Sequence, residues 1–169
     1  MKRFVFLDRD GTLVRDEGYT HRVEDYELLP GAVEGLQRLV AAGFSLAIVS
    51  NQSGIGRGYF DEAAYEAFRD HLERDLTDRG IPIERSYHCP HTPDAGCDCR
   101  KPEPGMVLQA ARDFEIDLAA SWVVGDRDHD VELAERAGCA GGILIEAKGG
   151  PGTALDLAMA ADQILSKAP

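Results

Sequence analysis

Short apolar runs recur along this chain at residues 4–7, 45–49, 122–124 and 142–145, with a weaker one at 85–88, and each reads as a buried strand. Between them lie stripes with helical spacing. Val33, Leu36, Leu39 and Val40 form the first, stopped by Gly43 after Ala42. Tyr65, Phe68, Leu72 and Leu76 form the second, opened by Asp61 as N-cap and ended near Gly80. Val107, Ala110, Ala111 and Phe114 make a third stripe, and Val131 and Ala134 a fourth that closes at Gly138. Ala154, Leu157, Ala161, Ile164 and Leu165 indicate a terminal helix after a loose tether at 149–153. Strands that alternate with helices build a parallel sheet covered on both faces. The expectation is α/β: one Rossmann-like three-layer domain over residues 1–169, with about five strands.

Ligands of such sheets bind beyond the carboxyl ends of the strands. That rule selects Asp8, Ser50 and Asp126, each one or two positions past a strand-like run. Asp8-Arg9-Asp10-Gly11-Thr12 sets two carboxylates two residues apart after a buried run, a costly arrangement unless a cation shares them. Asp8 can attack phosphorus, and Asp10 can protonate the departing oxygen and then deprotonate water. Taken alone, Asp-x-Asp fits an acidic turn equally well. The other strand ends favour chemistry: Gly125-Asp126-Arg127-Asp128-His129-Asp130 adds carboxylates that with Asp8 can hold Mg²⁺. Ser50-Asn51 offers a hydroxyl and an amide to phosphate oxygens, and Lys101, before a helix, can neutralise the transferring group.

These segments, in this order across nearly the whole chain, resemble the four motifs of the haloacid dehalogenase superfamily of phosphatases. The resemblance implies Asp8 as nucleophile and Asp10 as general acid/base, with Mg²⁺ held by Asp8, the backbone carbonyl of Asp10 and Asp126. Asp130 would orient Lys101 or a metal-bound water. Only sixteen residues separate Leu13 from Pro30, too few for the large cap domain of many relatives, so an open site is expected.

Cys89-Pro90-His91 followed by Cys97-Asp98-Cys99 offers three thiolates and an imidazole, a full tetrahedral set for Zn²⁺. Disulfides compete as a reading, but they leave His91 unexplained. With all positions filled by protein, the zinc would be structural and would fix the loop carrying Arg100 and Lys101. Cys139, beside Gly138 and Ala140, reads as a small core residue. This zinc loop resembles the branch of the superfamily whose members act on a heptose bisphosphate or on histidinol phosphate. Gly18-Tyr19, residues 51–58 and Pro104-Gly105-Met106 lean toward the sugar enzymes, while the five residues between His91 and Cys97 occur in both. The expected substrate is heptose 1,7-bisphosphate cleaved at position 7, with histidinol phosphate as the alternative. Asp16, Glu17, Gly18, Tyr19, Asn51, Gln52, Ser53, Arg100 and Arg127 are the expected substrate contacts.

Hydrophobic residues make up 44% of the 169, ordinary for a globular chain, and no run approaches the roughly 20 apolar residues of a membrane span. Met1-Lys2-Arg3 leads into a strand-like run rather than a signal peptide, so a cytoplasmic location is expected. A net charge of −12 argues against a nucleic-acid partner, including a nucleic-acid end as substrate, but not against a small phosphorylated metabolite. A monomer is expected. The competing class is a zinc-stabilised binding module that kept the fold and lost turnover; every catalytic position being filled speaks against it.

Overall fold

Side chains alternate across the first strand, β1 (Phe4–Leu7), and that alternation fixes the layering of the molecule. Val5 and Leu7 enter one apolar cluster, and Phe4 and Phe6 the other. A computed structural model describes residues 1–168. After β1 come α1 (Ala32–Ala41), β2 (Ser45–Asn51), α2 (Ser53–Gly56), α3 (Glu62–Asp78), β3 (Arg85–Cys89), α4 (Gly105–Asp113), β4 (Trp122–Gly125), α5 (Asp128–Ala137), β5 (Gly141–Leu144) and α6 (Leu157–Lys167). The strands pair in the order β3-β2-β1-β4-β5, all in parallel. Residues of α1, α3 and α6 fill the cluster on one face, and residues of α4 and α5 fill the other. This is the three-layer α/β architecture expected from the alternation.

From β1 the chain builds outward through β2 to β3, then returns to place β4 on the opposite side of β1. The carboxyl ends of β1 and β4 therefore flank the crevice where strand order reverses, the place such sheets bind ligands. Asp8 and Asp126 are the first residues beyond those two strands. The segment from Asp8 to Gly31 contains two isolated bridges, Asp10 with Val14 and Val14 with Leu28, and a single 3₁₀ turn, Val23–Asp25. It forms no domain of its own.

Several boundaries differ from expectation. The last strand covers Gly141–Leu144, one residue earlier than the apolar run, and β2 continues through Ser50 and Asn51 instead of ending before them. The terminal helix starts at Leu157 because the Asp156 side chain caps it, accepting from Met159 N at 2.9 Å. Ala154 pairs with Ile145 in a bridge instead of lying in that helix. Phe114 lies just past the end of α4 and packs on Phe4, ring centroids 5.5 Å apart. The buried face of α5 is Asp130, Leu133, Ala134 and Ala137; Val131 is exposed, and its backbone is what faces Gly142. The short helix α2 carries no stripe and was not expected.

Helices α1 and α6 approach closely at Gly35, where a methyl group would run into the carbonyl of Leu157. Gly35→Ala gains about 1 kcal/mol of helix propensity but forces the helices apart, an overpacking cost of about 1–3 kcal/mol. The variant should unfold at lower temperature than the parent in a thermal melt. An equal or higher melting temperature would show that the α1–α6 contact is not tight at this point.

Candidate active site

Lys101, 2% exposed, lies under the crevice and spends its ammonium protons on three acceptors. Nζ donates to Asp8 Oδ1 at 2.8 Å, to Asp130 Oδ1 at 2.7 Å and to the Val49 carbonyl at 2.8 Å. The other oxygen of Asp130 accepts from Arg127 N at 3.1 Å, which starts α5 and fixes the carboxylate. Space beside these acids exists only because two neighbours lack side chains. A methyl at Gly11 would collide with the Asp126 carboxylate, and one at Gly125 with that of Asp130.

Asp8, Asp126 and Asp130 bring one carboxylate oxygen each within 4.8 Å of one another. Burial pushes Asp8 upward, but the Lys101 charge and hydrogen bonds from Asp126, Lys101 and the Arg9 amide leave it below the usual carboxylate range. Burial and the adjoining Asp8 push Asp126 up to about 8, so between them these two acids hold a proton at neutral pH. Burial, only partly offset by Lys101, sets Asp130 at about 6. Asp126 Oδ1 is buried with no hydrogen-bond partner. Crowded hard oxygens, a shared proton and an unpartnered acceptor suit a small divalent cation such as Mg²⁺.

Asp10 belongs to a different network. Arg9, almost fully buried with its guanidinium 4.4 Å from the Phe68 ring centre, donates through Nε to Asp10 Oδ1 at 3.0 Å and through Nη2 to Oδ2 at 3.1 Å. Gln52 Nε2 donates to Asp10 Oδ2 at 3.0 Å and to Ser50 Oγ at 2.6 Å. Burial outweighs the Arg9 charge, and with the negative Asp8 nearby the Asp10 carboxyl lies above its ordinary value. Two acids two residues apart are thus biased in opposite directions, Asp8 toward the anion and Asp10 toward the protonated form. That split suits a nucleophile and a proton donor.

The cleft above these groups has a volume of about 280 Å³. Of the expected residues, Asp8, Asp10, Asp16, Gly18, Tyr19, Asn51, Gln52, Ser53, Asp126 and Arg127 line it. Ser50 and Lys101 are buried and do not line it. Asn51 is used differently from expectation: its side chain accepts from Lys101 N at 2.9 Å and donates to Lys101 O at 3.3 Å, locking the lysine backbone to the end of β2. Glu17 is exposed and lines a neighbouring depression, and Arg100 lines a groove with Pro93, Gly96 and Cys97. His129 also lines the cleft; burial and the Lys101 charge lower it to about 4, so it is neutral at physiological pH. Arg9 and the Thr20 carbonyl, which accepts from Arg9 Nη2 at 2.6 Å, were not anticipated. The available hint was an arginine between two acids directly after a buried strand.

Cys89, His91, Cys97 and Cys99 converge beyond the end of β3. Cys89 Sγ is 3.6 Å from Cys97 Sγ and 3.0 Å from Cys99 Sγ, and His91 Nδ1 is 3.4 Å from Cys89 Sγ and 3.2 Å from Cys99 Sγ. A Zn–S bond of about 2.3 Å implies tetrahedral S···S edges of roughly 3.7 Å; Cys89–Cys97 matches this edge, Cys89–Cys99 is shorter, and neither is a bonded S–S distance. All four cysteines, including Cys139, are free thiols. Cys139 packs partly buried against the second core cluster, and burial raises it to about 12. The set at 89–99 can hold zinc.

Residues 98–165 match the HAD-hydrolase-like family model. The D-glycero-beta-D-manno-heptose-1,7-bisphosphate 7-phosphatase of Photorhabdus laumondii is 44% identical over 140 residues, covering 79% of this chain and 74% of that protein. The enzyme of the same name from Pasteurella multocida is 41% identical over 152 residues, covering 86% and 83%. The crystal structure of D,D-heptose 1,7-bisphosphate phosphatase from B. bronchiseptica, complexed with magnesium and phosphate, superposes with a TM-score of 0.86 at 38% identity, covering 99% of this chain and all of that one.

Removing the guanidinium that faces Asp10 tests the electrostatics of the site. Arg9→Met leaves the part-buried Asp10 carboxylate, 20% exposed at the cleft, without its counter-charge, a loss of about 2–3 kcal/mol by urea unfolding at neutral pH, below the figure for a fully buried pair. Asp10 is already raised in the parent and would be raised further in the variant, so the folded variant binds a proton more readily than the unfolded chain. The deficit should therefore be largest at neutral pH and shrink on acidification, as Asp10 becomes neutral. A loss below about 1 kcal/mol, or one that grows toward acid, would contradict this account.

Proposed function

The chain belongs to the haloacid dehalogenase-like hydrolases, and from that membership and the geometry above we propose that it is a Mg²⁺-dependent phosphatase. Its substrate is D-glycero-β-D-manno-heptose 1,7-bisphosphate, hydrolysed at position 7 through an aspartyl-phosphate on Asp8. The observation that carries the reading is the Asp8 carboxylate, held ionised by the Lys101 ammonium 2.8 Å away and set at the strand-order reversal beside Asp126. Relatives 44% and 41% identical that carry the heptose bisphosphate name support the substrate.

The ionised Asp8 attacks phosphorus; a carboxylate O–P bond forms as the bond from phosphorus to the sugar oxygen breaks. Asp10, biased toward its protonated form, gives its proton to that oxygen, and the sugar leaves as an alcohol. Water then enters, Asp10 takes one of its protons, and attack at phosphorus breaks the acyl-phosphate bond, releasing phosphate and restoring both acids. Lys101 offsets negative charge on Asp8 throughout, and Asp130 holds the ammonium in place. Asp8, Asp126 and the Asp10 carbonyl would hold Mg²⁺, which when bound neutralises charge on the phosphoryl oxygens. Arg127 at the cleft and Arg100 on the neighbouring loop are the cations we assign to the distal phosphate.

We assign zinc to the Cys89, His91, Cys97 and Cys99 set as a structural ion that stiffens the loop leading to Arg100 and Lys101. Clustered free thiols fit a reducing compartment, consistent with action in the cytoplasm. Among the described residues no helix is long and apolar enough to cross a membrane. Every group used in the steps above comes from one chain, and we take the active unit to be the monomer.

The direct test is kcat/KM for heptose 1,7-bisphosphate and for histidinol phosphate, with Mg²⁺, on the parent and two variants. The parent should prefer the bisphosphate. Asp8→Asn should fall to background, and Asp10→Asn should lose about 10²–10⁴-fold. Preference for histidinol phosphate would overturn the substrate, and substantial turnover by Asp8→Asn would overturn the mechanism. Elemental analysis should find about one zinc per chain, and its removal should lower the melting temperature as well as activity. Purified protein without zinc and with three reactive thiols at Cys89, Cys97 and Cys99 would remove the zinc assignment.

A further inference from the structure

One wall of the cleft, residues 16–19, is held in place from two sides. On the inner side, Thr20 anchors the root of the wall: its carbonyl accepts from Arg9 Nη2 at 2.6 Å and its hydroxyl accepts from Glu17 N at 2.9 Å. The tip is different. Gly18 and Tyr19 both have positive φ, 77° and 53°, and Tyr19 is the one non-glycine residue with positive φ among the described residues. A side chain in that region needs its surroundings to keep it there.

Those surroundings are aromatic and come from the segment joining α2 to α3. The Tyr19 ring meets Tyr59 edge-on, centroids 4.8 Å apart at 74°. His21 donates from Nδ1 to the Tyr19 carbonyl at 2.7 Å and stacks on Phe60, centroids 4.6 Å apart at 7°. At Gly54 in α2 an added side chain would strike Phe60 and reach within 3.0 Å of Tyr19, so the backbone there is bare where the rings close over it. Tyr59 is 57% exposed and does not line the cleft, whereas Tyr19 does. Core packing gives no reason for a large ring at Tyr59; its contact with Tyr19 does.

We propose that Tyr59 is a positioning residue: with the His21–Phe60 stack it clasps Tyr19 over the cleft and so sets the affinity for the sugar part of the substrate, without touching substrate itself. The proposal rests on the function assigned above. A wall held in one conformation spares the substrate the entropy of ordering it, so the gain is in binding. A small aryl phosphate that fills only the phosphoryl site draws nothing from this wall.

Three readouts on Tyr59→Ala and Tyr59→Phe test the clasp: steady-state kinetics with heptose 1,7-bisphosphate, the same with p-nitrophenyl phosphate, and amide hydrogen exchange over residues 16–21. In Tyr59→Ala, KM for the bisphosphate should rise roughly 3- to 10-fold, the range an edge-on aromatic pair supports, with kcat unchanged. Hydrolysis of p-nitrophenyl phosphate should be unaffected, exchange at Gly18 and Tyr19 should quicken, and Tyr59→Phe should match the parent throughout. Unchanged exchange in Tyr59→Ala, equal losses on both substrates, or a Tyr59→Phe as impaired as the alanine variant would each overturn the clasp. If the parent turned over neither substrate, the functional assignment would fall, and exchange over residues 16–21 would still decide the clasp.

Discussion

The buried ammonium of Lys101 joins Asp8 beyond β1, the Val49 carbonyl within β2 and Asp130 in α5, and every other part of the site is arranged around that join. A lone ammonium in such a place would lose its proton; three acceptors within 2.8 Å keep it charged, and its proton is held more firmly than in water despite complete burial. Its backbone is held as firmly as its head group. Asn51 pairs with the Lys101 amide and carbonyl, and the Cys/His set lies just upstream in the chain. Removing the ammonium would strand two buried carboxylates. The same charge keeps Asp8 ionised next to Asp126, which without a cation must share a proton.

A second buried cation, Arg9, holds the other acid, Asp10. Its Nε and Nη2 hold both oxygens of Asp10, Nη2 also donates to the Thr20 carbonyl, Nη1 is buried without a partner among the described residues, and its guanidinium lies near the Phe68 ring. The two cations accompany opposite biases on Asp8 and Asp10: one acid lies on the lysine and the other on the arginine, although only Arg9 separates them in sequence. The arginine also couples Asp10 to the loop bearing Tyr19, so the Asp10 carboxyl and the cleft wall are positioned by one side chain.

Much of this was legible from residue order. Strands buried on both faces show as apolar runs, and in a parallel sheet their carboxyl ends are where ligands bind, so Asp8, Ser50 and Asp126 stood out before any geometry was known. The convergence of the Cys/His set was equally readable, because four donors within residues 89–99 are near enough in sequence to meet at one point. What was hidden depends on backbone acceptors and on helix phase. Nothing in the sequence shows that Val49 and Thr20 offer carbonyls to buried cations, or that the Asn51 amide, although it lines the cleft, is spent on the Lys101 backbone. Val131 was misplaced because two apolar residues do not define a helix face; the phase of α5 is set by Asp130, a buried acid that looks like a surface residue. The aromatic clasp was invisible because its rings lie on separate segments, Tyr19 and His21 before α1, Tyr59 and Phe60 before α3.

On the proposed mechanism, phosphate passes through a covalent bond to Asp8. Acid-quenching the enzyme during turnover of heptose 1,7-bisphosphate with Mg²⁺, reducing it with borohydride and sequencing the peptides by mass spectrometry reads that bond directly. An acyl phosphate at this position would be reduced to homoserine, so residue 8 should appear as homoserine only in samples quenched during turnover. Unmodified Asp8 under conditions of confirmed turnover, or the modification on another carboxylate, would contradict the account.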